Sequence, residues 1–239
     1  MPLEVARARV VDRHEALTPA ARLDVLAVRL SAAGDHQRAE AMAAYMKGIA
    51  PFFGVPATPR RAIQRVVFAK WKPDAREVIE LAVAAWGRDE RELQYAACDV
   101  LTQRASRLVP SSLGDLESLI TCRSWWDTVD ALAHAVGELV DRHRDLQSEM
   151  DRWIEAEDFW LARVALIHQL RYGEHTDEER LFAYCDRRAS DREFFVRKAI
   201  GWALRQHART RPDAVRAFVD ARADQLSGLS IREALKHLT

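Results

Sequence analysis

Apolar residues recur at spacings of three and four along most of the chain. Strict alternation never persists long enough to mark a strand. The pattern predicts an all-α protein. Gly and Pro are scarce and sit at the punctuation points. Thr18-Pro19, Thr58-Pro59, Lys72-Pro73 and Arg211-Pro212 each put Pro where a helix would begin, with Thr58 read as an N-cap. Gly34, Gly87 and Gly173 follow helical runs as C-terminal caps. No unbroken apolar run exceeds six residues, the length of Leu81 to Trp86, far short of the ~20 that a transmembrane helix needs.

Predicted helix starts at Thr58, Asp89, Ser124, Glu157 and Asp191 lie 31, 35, 33 and 34 residues apart. A second helix fits between each pair of starts: Pro73 to Trp86, Pro110 to Thr121, Leu146 to Glu155 and Thr176 to Arg187. A helix pair repeated at this interval predicts a solenoid, because one pair cannot bury its apolar face alone. The expectation is one continuous domain over 1–239. About 1–50 would form an N-terminal helical cap, about 51–210 the core repeats, and about 211–239 a C-terminal cap. One set of helices would line a concave face.

Three of those helices carry unusual residues. The helix from Ser124 has an apolar stripe of Trp125, Val129, Leu132, Val136, Leu139 and Val140. Trp126 lies off that stripe and shares a face with Asp130, one turn later. That pair reads either as a packed Trp with a solvated or paired Asp, or as an aromatic and a carboxylate set out for a ligand. The helix from Glu157 to Arg171 is apolar nearly all round, with Arg163 in its midst. A cation so placed needs an anion, either an internal carboxylate or an external phosphate. In the helix from Asp191 to Thr210, Trp202 sits at the edge of the apolar arc with Lys198 and Arg205 as helical neighbours. This reads as an internal cation–π stack or as a surface for a polyanion. Near the N-terminus, Tyr45, Met46 and Lys47 end a helix. Thr58, Arg60 and Arg61 then open the next, a plausible phosphate site or simply a capped helix.

Charge narrows the picture only slightly. Lys plus Arg and Asp plus Glu are 36 each, so any basic surface is local and balanced by acid elsewhere. Only five of the cations are Lys. Arg is the better bidentate phosphate ligand, although genomic base composition would give the same bias. Cys98, Cys122 and Cys185 are far apart and lack metal-ligand spacing, which fits a reducing, cytoplasmic compartment. The N-terminus has no apolar h-region, so secretion by a signal peptide is not expected. No HExxH, GxGxxG, P-loop or GxSxG motif is present. These features alone do not separate a protein-binding scaffold from a nucleic-acid enzyme.

A further set of blocks does. AAYMKGIAPFFGV followed by TPRR, then RELQYAACDVL, SWWDTVDALA, WIEAEDFWLARVALIHQLRYGEHTD and FFVRKAIGWALRQHAR run in order from about Tyr45 to Val219. Together they resemble the DNA alkylation repair enzymes of the AlkD type. The resemblance implies a right-handed superhelix of HEAT-like repeats with a concave DNA-binding face. It implies a DNA glycosylase of base-excision repair that releases N3- and N7-alkylated purines from double-stranded DNA, without flipping the base and without a metal or other cofactor. It places catalysis on Asp130, Trp126 and Trp202, and DNA contacts on Tyr45, Lys47, Thr58, Arg61, Arg163 and Arg205. The segment VPATPRRA departs from the family pattern, with an extra residue before Thr58 and with Arg60 where an acidic residue is common. A monomer that reaches the nucleoid through DNA is the expected working form. The alternatives are a relative that binds DNA but has lost excision, and a helical-repeat scaffold for protein partners.

Overall fold

A computed structural model describes residues 17–238. Among them are thirteen α-helices, three short 3-10 turns and no strand. The chain divides into two compact units, one through Ala96 and one from Ala97 onward.

The first unit holds α1 (Pro19–Ala32), α2 (His36–Tyr45), α3 (Ala57–Phe68), α4 (Ala75–Trp86) and the opening turns of α5 (Arg91–Arg104). Helix α1 begins as predicted: the Thr18 hydroxyl accepts from the Ala21 N–H at 3.2 Å and Pro19 follows the cap. Its Leu23, Leu26 and Leu30 are fully buried, and α1 packs on α3 and α4. Helix α4 starts on a capping box, in which Asp74 and Glu77 each bond the other's backbone N–H. The Thr58 cap is a misreading. Pro56 takes the extended cap conformation, α3 opens at Ala57, and Thr58 lies inside the first turn with no side-chain cap bond at Pro56. Pro59 is tolerated one residue later because N–H groups in the first turn have no intrahelical partner.

The second unit continues through α6 (Ser112–Thr121), α7 (Trp126–Arg142), α8 (Gln147–Ile154), α9 (Phe159–Ile167), α10 (Glu178–Arg187), α11 (Phe194–His207), α12 (Pro212–Ala221) and α13 (Gly228–Leu235). Helix α9 packs against α6, α7, α8, α10 and α11. That explains its all-round apolar sequence: every residue from Trp160 to Ile167 is buried. Helices α7 and α9 approach so closely that a Cβ on Gly137 would run into the His168 carbonyl oxygen. Starts at 57, 91, 126, 159 and 194 recur every 33 to 35 residues, in keeping with the predicted all-α fold of helical repeats.

Two readings of helix extent need correction. Trp125 is not the first residue of the α7 stripe. It is the extended N-cap residue, while Val129, Leu132, Val136, Leu139 and Val140 are fully buried as expected. The predicted helix to Arg171 ends at Ile167 instead. Beyond it the backbone tightens to i−3 bonds, Leu170 N–H to Ile167 and Tyr172 N–H to Gln169.

The arginines on α8 and α10, and Arg222 at the C-cap of α12, serve the stacking. Arg152 bonds Glu117 on α6 at 2.7 Å, Arg180 bonds Asp151 on α8 at 2.6 Å, Arg187 bonds Glu155, and Arg222 bonds Asp186. Each pair joins helices of successive repeats. At such exposure solvent screens each pair and each contributes little to stability.

Candidate active site

The N-termini of α7, α9 and α11 share an aromatic layer. The Phe195 ring lies 4.9 Å from Trp160, 5.2 Å from Trp125 and 6.4 Å from Phe159 between centroids, the last pair stacked. This layer fixes the Phe195 backbone, whose carbonyl accepts from Arg163 Nη1 at 2.6 Å. The other edge of the same guanidinium grips Asp130. Nε donates to Oδ1 at 2.7 Å and Nη2 to Oδ2 at 2.8 Å. Of the two partners foreseen for Arg163, the internal carboxylate is the one found. The pair must repay the desolvation of both ions. Two parallel charge-assisted bonds and a third bond to a carbonyl supply the best geometry for doing so.

The Arg163 side chain is 4% exposed and that of Asp130 is 20% exposed. Burial pushes the Asp130 carboxyl above its ordinary pKa, and the bonds and charge of Arg163 oppose that shift. Both oxygens accept from a cation, so the geometry fits the ionised form. A carboxylate offers about four lone-pair sites and Arg163 uses two. Asp130 therefore retains acceptor capacity on its open side.

Trp126 opens α7 one turn before Asp130 on the same face and is half-buried. Trp202 on α11 is also half-buried, with Arg163 over its ring at 6.0 Å from the centroid. The cation at Trp202 is thus Arg163 of the neighbouring repeat rather than Lys198 or Arg205 of its own helix. Arg205 is ion-paired with Glu233 on α13. Asp130, Arg163 and Trp202 therefore form one connected group, and Trp126 stands beside it on α7.

In the first unit, Tyr45 is 72% exposed at the end of α2. Lys47 follows with a positive φ of 61°, an unusual conformation for a side-chain-bearing residue. Thr58 and Arg61 are exposed on the first turns of α3. Arg60 turns inward instead, buried with its guanidinium over the Tyr95 ring at 5.4 Å. Glu92, which the sequence did not single out, organises this region. It is fully buried, and its carboxylate accepts from the consecutive N–H groups of Phe53, Gly54 and Val55 at 3.0, 2.9 and 3.1 Å. Three converging amides make an anion nest, here filled by the protein's own carboxylate. The only sequence signal was an acidic residue near the start of an otherwise amphipathic helix, and such residues are usually solvent-facing.

Among the described residues, no group of three or more His, Cys, Asp or Glu side chains could hold a metal ion. No described helix is long and apolar enough to cross a membrane.

Asp130, Arg163 and Trp202 thus come together from three successive helical repeats, with Trp126 on the same α7 face as Asp130. The family model for the DNA alkylation repair enzyme matches residues 26–238, and the chain belongs to that family. It is similar to the structure of a predicted DNA alkylation repair enzyme from Enterococcus faecalis, at 31% identity and a TM-score of 0.79 over 86% of this chain and 97% of that one. Two Streptococcus mutans structures share the fold at 17% identity. Smu.31 of strain UA159 has a TM-score of 0.57 over 73% of this chain and 90% of its own. AlkD2 has a TM-score of 0.56 over 76% and 89%. Among curated proteins, none matches this chain.

Proposed function

We propose that this repair protein is an alkylpurine DNA glycosylase. It hydrolyses the N-glycosidic bond of cationic N3- and N7-alkylated purines in duplex DNA, acting as a cytoplasmic monomer without flipping the base. The observation that carries the reading is Asp130: a carboxylate fixed at both oxygens by Arg163, yet open on one side, between Trp126 on its own helix and Trp202 beyond Arg163.

Alkylation at N3 or N7 makes the purine cationic and weakens its bond to the sugar. When that bond breaks, its electron pair leaves with the base, which departs neutral. The sugar becomes an oxocarbenium-like cation. A site for this reaction has to stabilise positive charge as it moves from base to sugar. The indole faces of Trp126 and Trp202 do so by cation–π attraction worth ~0.5–2 kcal/mol each. The Asp130 anion adds its charge on the open side. It also accepts a proton from the water whose oxygen bonds to the sugar's anomeric carbon, as carboxylates do in glycoside hydrolysis. The leaving base already carries charge and needs no second acid.

Arg163 takes a different part from the phosphate ligand first expected. Three of its five N–H donors are spent on Asp130 and the Phe195 carbonyl. It orients the carboxylate and keeps up to two donors for the DNA backbone. Tyr45, Lys47, Thr58 and Arg61 contribute backbone contacts from the first unit.

The test is incubation with methylated duplex DNA in the presence of EDTA, followed by analysis of the released bases. The wild type releases 3-methyladenine and 7-methylguanine, and Asp130→Asn loses most release while still binding DNA. Undiminished release by Asp130→Asn would overturn the assignment. Salt-sensitive DNA binding with no release by the wild type would favour a non-catalytic relative. Absence of DNA affinity would favour a protein-binding scaffold.

A further inference from the structure

Three arginines placed near the α7 and α11 faces of the second unit differ in their counter-charge. Arg163 is neutralised by Asp130 and Arg205 by Glu233. Arg171 is not. Its Nη1 meets Nε2 of His134 at 2.9 Å, and among the described residues no carboxylate lies within ion-pair distance of it.

His134 is four residues beyond Asp130 on α7, so it lies on the same face, one turn and about 6 Å further along the axis. A guanidinium does not give up its proton in a protein. Arg171 is therefore the donor in this bond, and the His134 Nε2 is unprotonated. Burial and the neighbouring Arg171 charge both hold the imidazole pKa below its ordinary value, in agreement with a neutral ring. An Arg–carboxylate pair sums to zero charge, whereas an Arg–imidazole pair keeps a full positive charge. The imidazole also holds the long side chain in place, which removes part of the rotamer entropy that an unanchored arginine loses on binding. Arg171 is exposed, and four of its five N–H donors stay available.

We infer that Arg171, steadied by His134, is a phosphodiester-binding site that grips the duplex backbone one helical turn along α7 from Asp130. The inference rests on the proposed function for the identity of the polyanion. It moves the principal phosphate contact of this face from Arg163 and Arg205 to a residue that carries no counter-ion.

The test is equilibrium binding to undamaged duplex DNA over a range of KCl concentrations, in an Asp130→Asn background. Each phosphate neutralised contributes about 0.9 to the slope of log affinity against log salt. Arg171→Gln is expected to lower that slope by about one and to weaken low-salt binding several-fold, whatever the DNA sequence. Arg171→Lys should retain the slope. His134→Glu, with Arg171 intact, should lose as much slope as Arg171→Gln, because the new ion pair consumes the charge.

An unchanged slope in Arg171→Gln, with an unchanged melting temperature, would overturn the inference. So would a full slope in His134→Glu. Base release by the wild type is measured separately. A slope that falls in Arg171→Gln while the wild type releases no base would sink the glycosylase reading and leave this site standing. Release with an unchanged slope would do the reverse.

Discussion

Both oxygens of Asp130 accept from one guanidinium, Arg163 Nε at 2.7 Å and Nη2 at 2.8 Å, across two successive helical repeats. Arg163→Gln removes the charge that opposes burial, so the Asp130 pKa should rise further. The proposed reaction needs the carboxylate. Base release therefore falls as pH drops through the folded-state pKa, which already lies above the ordinary carboxylate value. The acid limb of the rate–pH profile should move to higher pH in Arg163→Gln. Breaking the pair should also cost roughly 3 kcal/mol of stability, checked by urea unfolding. A limb that stays in place would separate the two residues functionally.

Glu92 collects three consecutive amide donors. Glu92→Ala leaves them buried without an acceptor, at a cost of at least ~2 kcal/mol. Glu92→Gln, which keeps one carbonyl oxygen, should lose less. Denaturant melts of the two variants give the comparison, and equal stabilities would show that the nest carries no weight.

His168 is fully buried, its pKa lowered by burial from 6.5 to about 4. Its Nδ1 is 2.7 Å from the Ala165 carbonyl oxygen. The unfolded chain binds a proton below about pH 6.5 that the native state refuses until about pH 4. Stability is therefore greatest above this window and declines as pH falls through it, by up to ~3 kcal/mol. Melting temperatures of the wild type and His168→Leu, compared between the two ends of the window, should show a steeper acid loss in the wild type.

Gly137→Ala would drive a methyl group into the His168 carbonyl. The expected loss is ~1–3 kcal/mol from overpacking. Asp130 is on α7 and Arg163 on α9, so base release well below the melting temperature should also fall. Full activity in a destabilised Gly137→Ala would show that the site tolerates separation of the two helices.

The repeat was legible because stacking demands it. Apolar stripes recur at helical spacing, and Pro or Asp stands at the start of α1, α2, α3, α4, α9, α10 and α12. The face shared by Trp126 and Asp130 could be read from helical geometry alone. The pairings across repeats could not. Which carboxylate meets Arg163, or that Glu233 meets Arg205, depends on how one helix pair is rotated onto the next, and spacing along the chain does not encode that rotation. Thr58 was misplaced for a local reason. Thr-Pro suggests a cap, but Val55-Pro56 offered the backbone another one first. Trp125 looked like the top of a stripe because an N-cap residue and a first-turn residue have the same sequence pattern. The end of α9 at Ile167 came from a switch in hydrogen bonding that no Gly or Pro announces.

The close contact at Gly137 gives the Asp130 carboxylate a divided ownership. Its position is supplied by one repeat, and its electrostatic environment by the next. Slippage of a fraction of an ångström between α7 and α9 would retune its affinity for a proton before any residue of the site was altered. Evolution can thus adjust the chemistry from the seam between repeats, by substitutions that never meet the DNA.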